Sequence, residues 1–161
     1  MKRFICAGLA VVLFSCSKDK KDDATPSSTV NQKKIQGVWQ SQSSVFVYYN
    51  ADNKEIKRVV SGSATVKVNY SFVGDLVSTF NPLKGQLETG SFTVTDATTA
   101  KLTINIGQPV LAADVTAFTD STMTWNYTLK PDSYPETQAD GTVVLKTADH
   151  STNTIVFKKL K

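Results

Sequence analysis

Cysteine, histidine and tryptophan are scarce: two Cys, one His and two Trp occur in 161 residues. Two cysteines make no disulfide scaffold, and one histidine makes no Cys/His zinc cluster. Charged residues are 20 % against 40 % hydrophobic, which excludes disorder throughout. No apolar run is long enough for several membrane spans. The basic excess is also local. Lys2, Arg3, Lys18, Lys20, Lys21, Lys33 and Lys34 stand against Asp19, Asp22 and Asp23, a net of +4 in residues 1–34, whereas residues 35–161 carry 11 basic and 11 acidic side chains. A neutral domain gives no electrostatic reason to expect nucleic acid as a partner.

Catalytic signals are missing as well. There is no Gly-rich phosphate loop and no Gly-x-Ser-x-Gly elbow. A Ser-His-Asp arrangement would have to use His150, which falls in the polar stretch Ala148-Asp149-His150-Ser151, where a solvated loop histidine is expected. The acids are dispersed, mostly at turns, where Asp bonds to local backbone. Asp132, Glu136 and Asp140 share one segment with oxygen ligands but no EF-hand pattern. The reading is a protein that is not an enzyme, with no cofactor and no metal; a hydrolase with a dispersed acidic site is the distant alternative.

What is present begins at the N-terminus. Lys2 and Arg3 precede an apolar run of 11 residues, Phe4 to Phe14, too short to span a ~30 Å hydrocarbon core as a helix. It fits an export signal, residues 1–15, which takes no part in the fold. Leu13-Phe14-Ser15-Cys16 resembles a bacterial lipobox, in which the Cys is acylated and becomes the new N-terminus; the alternative is an ordinary secretory signal with a chance Cys. Lipidation at Cys16 would explain a lone cysteine in an exported chain. Two or three acyl chains make a stable membrane anchor, where a single one binds only marginally. Residues 16–34 read as a charged, Ser/Thr-rich flexible tether, 19 residues with a reach of up to ~60 Å. Ser17-Lys18-Asp19-Lys20-Lys21-Asp22-Asp23 resembles the Lys-plus-acidic signal that sends Bacteroidota lipoproteins to the outer face of the outer membrane; the periplasmic face is the alternative.

Residues 35–161 read as one all-β domain. The hydrophobic period is two, not the ~3.6 of a helix. Val66, Val68, Tyr70 and Phe72 alternate with Lys67, Asn69 and Ser71; Met123, Trp125, Tyr127 and Leu129 alternate with Thr124, Asn126, Thr128 and Lys130; Leu102, Ile104 and Ile106 alternate with polar residues, as do Phe92 and Val94. Such strands bury one face. Turn signals divide the chain into strands at 39–49, 54–60, 64–73, 90–96, 100–106, 112–118, 122–130, 142–148 and 153–160. Residues 74–89 remain ambiguous, and Pro131–Gly141 is expected to be a long loop. Val30 to Gln36 reads as a helical turn with Asn31 as its cap. Successive hairpins favour an antiparallel up-and-down barrel of eight to nine strands, with a β-sandwich as the alternative.

Here the residues carry a resemblance. Ile35-Gln36-Gly37-Val38-Trp39 looks like the Gly-x-Trp opening of lipocalins. Thr89–Val94, Val115–Trp125 and Ile155–Lys159 are similar, in order, to segments of Bacteroidota lipocalin-like lipoproteins. The resemblance implies a lipocalin-like barrel with Gly37 and Trp39 as its structural plug. Many lipocalins place an Arg late in the barrel to stack on the first-strand Trp; this chain departs from that pattern and offers only Lys158 or Lys159.

Tyr70, Phe72, Phe92, Met123, Trp125 and Tyr127 fall on the alternating apolar faces, so a closed barrel turns them inward, either as a packed core or around a small apolar ligand. Tyr48, Tyr49 and Tyr134 form a second aromatic group near loops. The expected function is ligand binding by a barrel anchored through lipidated Cys16 to the outer membrane. The alternative is a non-catalytic accessory of a surface complex, with an outer-membrane protein or glycan as partner.

Overall fold

The computed structural model describes residues 29–62, 67–81, 84–107 and 109–160. The export segment, Cys16 and the tether up to residue 28 lie outside the described residues, as does Val66. A short helix, α1 (Val30–Ile35), precedes eleven strands: β1 (Gly37–Tyr49), β2 (Glu55–Ser61), β3 (Asn69–Val73), β4 (Leu76–Asn81), β5 (Gln86–Val94), β6 (Ala100–Asn105), β7 (Leu111–Thr116), β8 (Thr122–Leu129), β9 (Asp132–Thr137), β10 (Val143–Ala148) and β11 (His150–Lys159).

Pairing runs β1–β3–β4–β5–β6–β7–β8–β11, and β11 returns to β1. Eight antiparallel strands therefore close a barrel, and the sandwich alternative falls away. Of the rest, β2 is an extra strand on the C-terminal half of β1, while β9 and β10 form a separate two-stranded ribbon. The N-terminal half of the same β1 edge takes β3, from Gly37–Phe72 to Gln40–Asn69.

Two strands escaped the sequence pattern. The first is β4, Leu-Val-Ser-Thr-Phe-Asn: Val77 is buried, yet Leu76 and Phe80 on the other face are exposed, so the alternation is blurred. The second is β9, inside the expected loop Pro131–Gly141. It carries Pro135 and few apolar residues, and it survives because a two-stranded ribbon leaves every strand an edge, where a missing N–H is tolerated.

Helix α1 closes one end of the barrel. Its N-cap is Thr29, whose side chain accepts from the Gln32 amide, and not Asn31. Asn31 instead bonds across to the β5–β6 connection, its Nδ2 donating to the Thr95 carbonyl at 2.7 Å. The Val30 and Asn31 amides donate to the Asp96 carboxylate at 3.1 and 2.8 Å. The Gln32 and Gln36 side chains donate to the Gly74 carbonyl in the β3–β4 turn, and Lys34 donates to the Phe118 carbonyl in the β7–β8 turn. Every loop at this end is thus tied to six helical residues, and Ile35 is fully buried beneath them. A helix this short gains little from propensity; these long-range bonds hold it.

Gly90 is fixed by close approach. A Cβ there would lie 1.9 Å from the Asn105 carbonyl oxygen on β6, a backbone atom that cannot move aside. We expect Gly90→Ala to lower unfolding free energy by about 2–3 kcal/mol in denaturant titration, with Gly62→Ala, which meets nothing within 4 Å, near neutral.

Asp96 gives a pH prediction. The Asn31 amide, and more weakly the Val30 amide and Thr29 hydroxyl, hold its carboxyl below the ordinary range against slight burial. A depressed acid stabilises above its unfolded value and loses that stabilisation as pH falls through the folded one. Asp96→Asn should therefore lower the thermal midpoint at pH 7. The gap to the unmodified protein should narrow below about pH 4, as followed by circular dichroism.

Candidate functional site

Directly opposed residues of antiparallel strands point to the same side of the sheet. The register therefore lays out the barrel interior row by row from the helix-capped end. The first inward row across β1, β11 and β8 is Ser41, Phe157 and Met123; the next is Ser44, Ile155 and Trp125. Then come Phe46, Asn153 and Tyr127, and last Tyr48, Ser151 and Leu129. A β-bulge in β1 between Ser41 and Ser43 keeps both Ser41 and Ser44 inward.

Below these rows sits Trp39, fully buried, with its indole N–H donating to the Ile35 carbonyl at 2.7 Å. Lys159 is the late basic residue: its Nζ lies 5.2 Å from the Trp39 ring centre and donates to the Lys34 carbonyl at 3.1 Å. Gly37, at φ +109°, leaves room for it, since a Cβ there would meet Lys159 Cε at 2.9 Å. Gly37, Trp39 and Lys159 thus form the structural plug.

An aromatic layer follows. Trp125 lies 4.3 Å from Phe157 and 4.9 Å from Tyr70, and Phe72 lies 4.8 Å from Phe92 edge-on, measured between ring centres. Phe72, Trp125, Phe157 and Met123 are fully buried, and Phe92 nearly so. The lower half of the barrel is filled by its own side chains.

The upper half is not. A cavity of about 250 Å³ is lined by Ser41, Ser44, Phe46, Ser61, Val68, Tyr70, Ile155 and Phe157. Ser41, Ser44, Phe46, Tyr70, Ile155 and Phe157 occupy inward register positions of the barrel, Ser61 opposes Ser44 from β2, and the Val68 carbonyl accepts from the Ser41 amide. A second, larger cleft of about 520 Å³ lies where the β7–β8 ladder stops at Asp114–Asn126. Its rim is built from outward-facing residues, among them Lys101, Asp114, Asn126 and Thr152, and it reaches Leu102, Ala113, Tyr127 and Asn153 of the inner face. Of the six interior residues singled out from sequence, Tyr70 and Tyr127 border open space, while Phe72, Phe92, Met123 and Trp125 belong to the packed core.

The open half is also polar. Asn153 is 1 % exposed; its Nδ2 donates to Ser151 Oγ at 2.9 Å, and Ser151 Oγ donates to Asp132 Oδ2 at 2.5 Å. Asp132 stands at the start of β9, so the ribbon swings a carboxylate onto the barrel mouth. Asn153 Oδ1 is buried and has no partner among the described residues; the same holds for Thr79 Oγ1, in the inward row Tyr70–Thr79–Glu88. Burial raises the Tyr127 phenol well above its ordinary value, with Tyr70, Asp132 and Tyr48 adding in that order, and burial raises Tyr70 likewise. Tyr48 is raised by burial first and then by the Asp132 charge. These phenols stay neutral through the physiological range and present aromatic faces and hydroxyls.

The remaining expectations divide. His150 is not a solvated loop residue: it opens β11, its side chain is 18 % exposed, and it stacks on Tyr49 at 4.9 Å while Nδ1 meets Asp149 Oδ2 at 2.9 Å. Tyr134 packs on the buried Tyr48 at 5.1 Å, so these rings pin the ribbon to the barrel. Asp132, Glu136 and Asp140 do not converge; they serve Ser151, Lys146 and the Thr142 amide. Among the described residues no group of three or more His, Cys, Asp or Glu is placed to hold a metal. Sequence reasoning missed the Asp132–Ser151–Asn153 chain, although two polar residues at the inward phase of a strand ending in Ile155 and Phe157 are a legible anomaly.

The plug generates a prediction. Trp39→Phe leaves the Ile35 carbonyl unpaired in the core and should cost about 1–3 kcal/mol in denaturant unfolding. Lys159→Met, which keeps the stem, should cost less than about 1 kcal/mol. In comparison with known proteins, no family model matches the chain, and no match is found among curated proteins.

Proposed function

We propose that the chain is a non-catalytic envelope lipoprotein of lipocalin-like build. It is acylated at Cys16, tethered to the outer membrane of a bacterium on the cell-surface side, and holds a small ligand with an apolar body in the open half of its barrel. The observation that carries this reading is the cavity above the aromatic layer, bordered by Phe46, Tyr70 and Ile155. Cavities of a few hundred Å³ with few polar groups are the usual form of small-molecule sites, and about 250 Å³ suits a one- or two-ring compound.

A second reading, an accessory of an outer-membrane protein or glycan complex, is favoured by the β9–β10 ribbon. Val143 and Leu145 on β10 are 61 % and 76 % exposed, and contiguous exposed apolar surface marks interaction sites.

Two measurements test the proposal. Labelling cells with a palmitate analogue should tag the full chain and not Cys16→Ala; an untagged chain overturns the anchor. Calorimetric titration with 1-naphthylmethanol should show saturable one-to-one binding that Ser44→Phe, which fills the cavity, abolishes. Absence of saturable binding, or binding unaffected by Ser44→Phe, overturns the ligand reading.

A further inference from the structure

This inference rests on the ligand-binding reading and concerns the chemical class of the ligand. The cavity bordered by Phe46, Tyr70 and Ile155 lies where the barrel wall forks. β3 leaves the edge of β1 at Gln40–Asn69, and β2 takes up the same edge from Ser44–Ser61 onward. At the fork the Ser41 amide donates to the Val68 carbonyl and the Val68 amide donates to Ser41 Oγ, both at 2.9 Å.

Part of the lining is apolar: Phe46, Val68, Ile155 and Phe157. The rest is hydroxyl. Ser44 and Ser61 are directly opposed in the β1–β2 ladder, so their side chains leave the sheet on the same side, with about 4.5–5.5 Å between Cβ atoms. Tyr70 is held by its ring, centred 4.9 Å from Trp125 and 5.9 Å from Phe157. Among the described residues the hydroxyls of Ser44, Ser61 and Tyr70 make no hydrogen bond to the protein. The unpartnered Thr79 Oγ1 and Asn153 Oδ1 are fully enclosed; these three hydroxyls are not, and their residues line one cavity, where a ligand can meet them.

The lining carries no charged side chain. Lys67 is exposed and borders a separate groove of about 20 Å³ beside Ser41, Ser44 and Ser61. Burial raises the Tyr70 phenol, with no charged neighbour contributing. An ion in the cavity would give up hydration without meeting an opposite charge, which costs far more than burying a neutral polar group. A ligand with no polar atom would displace water from the hydroxyls and leave them unpaired. A hydroxyl both donates and accepts, so the oxygen of an alcohol, a phenol or a ketone can pair with it.

We propose that the cavity takes an uncharged compound of one or two rings bearing a hydroxyl or carbonyl oxygen. That oxygen pairs with an open hydroxyl of Tyr70, Ser44 or Ser61, and the rings lie against Phe46, Ile155 and Phe157.

The test is calorimetry on the full chain with one naphthyl frame in three charge states. 1-Naphthylmethanol should bind at least roughly ten-fold more tightly than either 1-naphthoate or 1-naphthylmethylammonium. Tyr70→Phe, or Ser44→Ala combined with Ser61→Ala, should weaken the alcohol about three- to ten-fold and leave 1-methylnaphthalene, which has no oxygen, unchanged. An ion that binds as tightly as the alcohol overturns the uncharged class and leaves the ligand-binding reading standing. An alcohol indifferent to both sets of substitutions overturns the pairing with the hydroxyls. Binding of none of the compounds overturns this inference and the ligand-binding reading together. Because the charge states are compared on the unmodified protein, a variant that fails to fold does not remove the test.

Discussion

The β1–β11 ladder is the contact on which the rest of the molecule depends. It runs from Trp39–Lys159 to Tyr49–His150, joining the first long strand to the last. Without it the sheet would have two free edges, each a row of unpaired N–H and C=O groups open to another chain. With it, every inward position of eight strands faces a common interior, and rows set far apart in sequence become neighbours: Trp39 with Lys159, Ser44 with Ile155, Phe46 with Asn153. The thirteen residues of β1 are what make this possible. One edge of that strand is used along nearly its whole length by β11. The other is divided between β3, near the capped end, and β2, near the mouth.

The interior is divided in the same way. Near α1 it is an aromatic core in which Trp39, Phe72, Phe92, Trp125 and Phe157 fill the cross-section and every buried polar group of Trp39 and the helix end is satisfied. Beyond Trp39 the inward positions of β1 are Ser41 and Ser44 before Phe46 and Tyr48, and toward the mouth Asn153 and Ser151 take the inward positions of β11. Leaving a buried acceptor such as Asn153 Oδ1 unpaired costs about 1–3 kcal/mol. A core selected for stability alone would place an aliphatic side chain there. The packed half holds the shape, and beside it the cavity bordered by Phe46, Tyr70 and Ile155 stays open.

Much of this was legible in the sequence. Period-two alternation identified the strands of the closed wall other than β4, and Trp39, expected as a buried aromatic, is fully buried. The missing parts have physical reasons. β4 shows apolar residues to solvent on one face as well as to the core on the other, so Leu76 and Phe80 erase the alternation. β9 has no core to point at and gains its pairing only from β10, so Asp-Ser-Tyr-Pro-Glu-Thr reads as a loop. Without that ribbon, the carboxylate of Asp132 could not be placed beside Ser151, and the polar half of the site stayed hidden. The aromatics were correctly turned inward, but alternation alone does not tell a ring packed on other rings, as in Trp125, from one bordering a cavity, as in Tyr70.

The most direct test of the divided barrel is the electron density inside it, from crystals of the protein purified out of the cell envelope. The account predicts continuous density for a small molecule in the cavity between Phe46, Tyr70 and Ile155. An interior closed by the Phe46 and Tyr70 side chains, with no room for a molecule between them, would contradict it.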